Sequence, residues 1–228
     1  MLIIGETDFM GPLISSAERD ALYKVIYSRR DVRGEFLPDP VSDEVLQRIL
    51  HAAHHAPSVG FMQPWDFIVV RDLEIRKEIK KGFETAHREA ALMFPEEKRE
   101  QYRSFKLEGI AEAPLGICVT CDRKRSGDVV IGRTANPEMD LYSSVCAVQN
   151  LWLAARAENL GVGWVSIVQH DHVRNVLGIP DDIVPVAWLC VGYVSFFRET
   201  PELEQAKWLS RLELGALIHR EQWGGNAT

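Results

Sequence analysis

The stretch "MDLYSSVCAVQNLWLAARAENLGVGWVS", residues 139–166, decides how the chain folds. Asn136 and Pro137 precede it as a helix start, and the run to 159 reads as one long helix closed by Gly161 at the C′ position. Leu141, Val145, Cys146, Val148, Leu151, Trp152, Leu153 and Ala155 spread around most of its circumference. A helix apolar nearly all round must be covered on all sides, which places it centrally or at a subunit interface. "VGWVSIV" then switches to a strand, with Ser166 expected as a buried polar group on it.

Working outward, "VPVAWLCVGYV" (184–194), "LGICVTCD" (115–122) and "WDFIVVRD" (65–72) read as three further strands. A short helix is expected in "HDHVRNVLGI". Upstream, Ser15 and Glu18 fit a capping box, and Leu22, Val25 and Ile26 form an apolar stripe that predicts a first helix ending near residue 30. Ser42 caps a second helix with Val45, Leu46, Ile49, Leu50 and Ala53 inward. Residues 73–112 are charged and helical with a break at Pro95. The 86–108 part, with Met93 and Leu107, reads as a lid or as plain surface helices. The fold class is α+β: one domain over 1–228, a central mixed β-sheet flanked by helices, and an extended C-terminal tail from about 198.

A chain of 228 residues with net charge −7 is a poor candidate for sequence-independent nucleic-acid binding, which needs a basic face. No run of 18 apolar residues is present, so no membrane span is expected. The opening "MLIIGETDFM" lacks a basic n-region, and a cytoplasmic location is the expectation. Cys118 and Cys121 form a C-x-x-C, but on a strand positions three apart face opposite ways. With no second such pair, all four cysteines read as reduced core residues. His51, His54 and His55 lie one helical turn apart without a carboxylate or cysteine to complete a ligand set, so no metal is expected.

"RRDVR", 29–33, places Arg29, Arg30 and Arg33 around Asp31. Guanidinium forks suit a phosphate held by bidentate charged bonds. Arg29 and Arg30 also suit the cationic last turn of a helix, but Arg33 lies beyond it. No G-x-G-x-x-G leads from a strand into a helix, and no G-x-x-x-x-G-K-[ST] is present, so side chains would have to hold the anion.

"RRDVR", the loop "APSVGFMQPW" (56–65) and "QNLWLAARAENLGVGWVS", in this order, resemble the nitroreductase-like flavoproteins. The loop is similar to that family's A-P-S-x-x-N-x-Q-P-W signature. Two departures, Asp31 in place of the usual serine or threonine and Phe61 in place of asparagine, narrow the resemblance. With "MDLYS" and "GVGWVSI", the pattern resembles the flavin-destroying branch, the 5,6-dimethylbenzimidazole synthases of cobalamin biosynthesis, from about Ser15 to Trp223. The resemblance implies an interlocked homodimer and oxygen-dependent fragmentation of reduced FMN to 5,6-dimethylbenzimidazole and erythrose 4-phosphate. It also implies dioxygen as the co-substrate and a separate flavin reductase as the source of the reduced FMN. It implies FMN contacts at Arg29, Arg30, Asp31, Val32, Arg33, Ser58, Leu107, Ser166 and Arg211, with Asp31 and Ser166 catalytic. A carboxylate beside arginines is expected to have a lowered pKa and to serve as a general base. The alternatives are an NAD(P)H-dependent nitroreductase or flavin reductase on the same fold, and a non-catalytic flavin-binding protein.

Overall fold

The computed structural model describes residues 13–225, so the reading of the first ten residues lies outside the described part. The described residues divide into two compact units, the first ending in the sequence at Phe197 and the second starting at Arg198. The first unit holds α1 (Ser16–Ser28), α2 (Asp43–His54), β1 (Trp65–Val70), α3 (Leu73–Met93), α4 (Glu96–Ser104), β2 (Leu115–Asp122), α5 (Met139–Ala157), β3 (Leu160–Val165), α6 (His170–Leu177) and β4 (Ile183–Tyr193). The second holds α7 (Glu202–Gln205) and a single 3₁₀ turn at Leu214–Leu217. No described helix is long and apolar enough to cross a membrane.

The strands form one sheet in the order β1-β2-β4-β3, and every neighbouring pair is antiparallel. The mixed character expected of the sheet is confined to an isolated parallel bridge from Asp31 to Val162 on the free edge of β3. β2 is buried along nearly its whole length, as its unbroken apolar run requires of a strand covered on both faces. Leu115, Ile117 and Val119 face one core with α2 and α5, which also holds Leu46, Ile49, Leu151 and Leu189. Cys118 faces the other core with Ile79 and Phe83 of α3, Val173 of α6 and Trp188. Cys121 contacts Ser144 of α5, so the two cysteines do face opposite ways.

The helix ends follow from local chemistry. α1 starts with the complete capping box: Ser15 Oγ accepts from Glu18 N–H at 3.3 Å, and Glu18 Oε2 accepts from Ser15 N–H at 2.8 Å. α5 ends two residues before the expected stop. Asn159, not Gly161, takes the left-handed conformation (φ 59°) that turns the chain, because Gly161 already lies in β3. Nor is α5 covered on all sides within the chain, since Tyr142 and Val145 are exposed. The 86–108 stretch becomes the end of α3, α4 and the start of an irregular strap that leads into β2.

Candidate active site

The segment after α1 lies along the free edge of β3. Val32 N–H donates to Val162 C=O at 3.0 Å. This approach is possible because residue 163 is glycine: a Cβ there would stand 2.1 Å from the Val32 carbonyl oxygen. The close fit turns Asp31 onto β3. Its Oδ1 accepts the Trp164 N–H at 3.0 Å, a group the edge strand would otherwise leave without a partner, and its Oδ2 accepts from Arg33 Nη2 at 2.9 Å.

The arginines are held differently from one another. The Arg29 guanidinium lies 4.7 Å from the centre of the Trp152 ring, within cation–π range. Arg30 Nη1 donates to the carbonyls of Tyr27 at 2.8 Å and Arg29 at 2.6 Å, and its own carbonyl accepts from Trp152 Nε1 at 3.3 Å. A fourth guanidinium, missed in the sequence, joins them: Arg156 Nε donates to Ser28 C=O at 3.4 Å. Burial, and then the Arg30 charge, lower its pKa. Arg156 had been hidden in the last turn of an apolar helix, where a basic residue is ordinary.

Burial pushes the Asp31 carboxyl above its usual value. The Arg33 charge, the Trp164 N–H and Arg29 pull the other way without cancelling it. The lowered pKa expected from the neighbouring arginines is therefore overturned. Charge neighbours are visible in a sequence, whereas desolvation depends on what the fold lays over the group. A carboxyl shifted upward is closer to the pH at which it can both accept and return a proton.

Ser166 follows β3 directly, two residues past the Trp164 that holds Asp31. It is exposed, not a buried strand residue as expected, because β3 ends at Val165. It lines a 110 Å³ cavity with Val165, Val173, Ala187 and Trp188. Leu107 is half-buried on the strap, two residues before Gly109, where a Cβ would stand 2.5 Å from the Arg33 carbonyl oxygen. Asp31 and Val32 thus lie along the free edge of β3 with Ser166 just past the end of that strand, while Leu107 lies on the strap that reaches Arg33 through Gly109.

Ser58 does not join them. Its Oγ accepts from Gln63 N–H at 3.1 Å, and the next residue, Val59, donates its N–H to Ser143 Oγ at 3.2 Å. Ser143 and Trp152 are nine residues apart on α5, about 13 Å along the axis. Arg211 lies in the second unit, exposed, with its N–H 3.4 Å from Glu204 Oε1. Among the described residues, no group of three His, Cys, Asp or Glu could hold a metal ion. Clustered guanidiniums are a donor set that suits an anion such as a phosphate.

Comparisons with known proteins identify the family. The nitroreductase family profile matches residues 26–193. The chain is 42% identical over 201 residues to a 5,6-dimethylbenzimidazole synthase of Rhodospirillum rubrum, covering 88% of this chain and 95% of that protein. A protein of the same name from Rhodobacter capsulatus is 40% identical over 194 residues, 85% of this chain and 93% of that one. A nitrobenzene nitroreductase of Ectopseudomonas oleovorans is 31% identical, with 83% and 92% covered. Among solved structures, oxidised iodotyrosine deiodinase bound to FMN and 3-iodo-L-tyrosine superposes with a TM-score of 0.69 at 22% identity, over 88% of this chain and 98% of that one. The chain belongs to the nitroreductase family.

Proposed function

We propose that this chain consumes reduced FMN and dioxygen to form 5,6-dimethylbenzimidazole, the lower ligand of cobalamin, with release of erythrose 4-phosphate. The observation that carries the reading is Asp31: a carboxyl with both oxygens held, set among arginines, in a chain 42% identical to a synthase of that name.

Arg29, Arg30 and Arg33 would hold the phosphate and ribityl hydroxyls, with the Val32 backbone and Leu107 beside them. Reduced FMN supplies the electrons for dioxygen and the ring that becomes the product. Asp31, its pKa raised by burial, accepts and returns a proton at the ribityl side. Ser166 offers its hydroxyl from the end of β3. Closure by α3 and α4 over the site would exclude water.

The unit that works is a homodimer. α1 has no buried residue, with Leu22 53% and Tyr27 71% exposed, and α5 leaves Tyr142 and Val145 uncovered. One protomer keeps Ser58 about 13 Å along α5 from the arginines, so Ser58 of the partner subunit would complete the site. A separate flavin reductase would supply the reduced FMN, in the cytoplasm.

Protein mixed with reduced FMN under air should yield 5,6-dimethylbenzimidazole. Oxidised FMN returned intact would sink the reading. NAD(P)H oxidation with intact flavin would establish the second reading, a reductase, which the 31% identity to nitrobenzene nitroreductase favours. Tight flavin binding with neither activity would leave a flavin-binding protein.

A further inference from the structure

The strap of residues 105–113 has no regular secondary structure beyond a turn, yet α3 and the strap itself fix it with buried charges. Arg76, 6% exposed, donates to the carbonyls of Ile110 at 3.3 Å, Ala111 at 3.1 Å and Ala113. One turn along α3, Lys80 reaches Glu108 at 3.1 Å. Glu108, only 4% exposed, also takes Lys106 Nζ at 2.7 Å and the Ile110 N–H at 2.7 Å. Burial alone would raise this carboxyl, but Lys106, the Ile110 N–H and Lys80 hold it below its usual value.

Burying such a group is a weak route to stability, because apolar residues of similar volume often serve as well. What it does provide is one fixed position for an irregular segment. That position matters at Gly109. A Cβ there would stand 2.5 Å from the Arg33 carbonyl oxygen and 2.6 Å from the Phe36 ring, so the strap lies directly against residues 33–36. On its other side this segment is stitched to the end of β4: Leu37 N–H donates to Tyr193 C=O at 2.8 Å, and Ser195 N–H to Glu35 C=O at 3.0 Å. Residues 33–36 are clamped between strap and sheet.

We propose that Glu108 is a positioning residue: it pins the strap so that Gly109 sets the Arg33–Phe36 backbone, and with it the guanidinium that meets the phosphate. The last clause rests on the flavin reading above; the mechanical part does not.

Hydrogen exchange on the flavin-free protein tests the mechanical part. In Glu108→Gln the amides of Leu37 and Ser195 should exchange about tenfold faster or more, with the amides of α2 unchanged. Faster exchange confined to 105–113 overturns the proposal. FMN fluorescence titration of the same variant should show roughly three- to tenfold weaker binding, and Glu108→Asp should recover part of it. Loosened Leu37 and Ser195 with unchanged FMN affinity would uphold the clamp and overturn the phosphate grip. Should Glu108→Gln not fold, Lys80→Gln removes one partner of the same carboxylate from a half-buried position, and the same two amides decide.

Discussion

α1 and α2 look alike in outline. They have 13 and 12 residues, and each starts with a serine whose side chain accepts from the third residue on. Each also leads into a loop singled out in the sequence, "RRDVR" after α1 and the 56–65 loop after α2, though only the first lies at the candidate site. Yet α2 buries Leu46, Ile49 and Ala53, whereas α1 buries nothing. Caps start a helix, but a helix this short persists mainly through the face it packs. α2 finds that packing in its own core. The apolar face of α1 finds little cover among the described residues, and the arginine segment that follows it is held by β3 and the strap.

The contrast breaks most sharply in the core. Ile49→Ala should destabilise the protein by about 2–5 kcal/mol, whereas Ile26→Ala in dilute protein should cost less than about 1 kcal/mol. Denaturant unfolding of both checks this, and equal losses would show that α1 is packed after all. Next, the loop carried by α1 should hold the chemistry. Asp31→Asn should cut benzimidazole formation by about 100-fold while reduced FMN still binds; an unchanged yield per flavin consumed would return Asp31 to charge balance. Folding raises this carboxyl's pKa, so its protonated form stabilises the fold. That contribution is full at acid pH and is lost as pH rises through the raised value. The stability of the parent relative to Asp31→Asn should therefore fall as pH climbs above the ordinary carboxyl range.

The cover for α1 is the next point of attack. Leu22→Asp should weaken self-association by on the order of 2 kcal/mol, seen as monomer by sedimentation at concentrations where the parent is dimeric. An undisturbed dimer would place the interface elsewhere. The caps give the smallest effect. Ser42→Ala should lower global stability by about 1 kcal/mol. Ser15→Ala should chiefly speed exchange in the first turn of α1, leaving the unfolding midpoint of the monomer nearly in place.

The elements were legible because their periodicities are local. "LGICVTCD" and "VPVAWLCVGYV" gave strands within a residue or two of β2 and β4. The misreadings are all tertiary. Gly161 looked like a helix stop, but it is a strand residue packed near Val32, and Asn159 makes the turn. Ser166 looked buried because "GWVSI" is apolar, though the strand stops one residue short of it. The Asp31 pKa looked lowered because its charged neighbours are written beside it, while the burial that raises it exists only in the folded chain. Ser58 and the arginines share motifs of one family, yet nothing in their spacing says that α5 holds them apart in one protomer.

Gly163 has a use beyond this molecule. With 2.1 Å between a hypothetical Cβ and the Val32 carbonyl oxygen, the backbones there admit no side chain of any kind. The residue at 163 is thus a one-letter diagnostic. A chain that otherwise carries an arginine-and-aspartate segment but has alanine or larger at this point must seat the segment further from its sheet. It would then lose the bond between the acidic side chain and the strand amide, so its carboxyl would answer to solvent instead of to the fold.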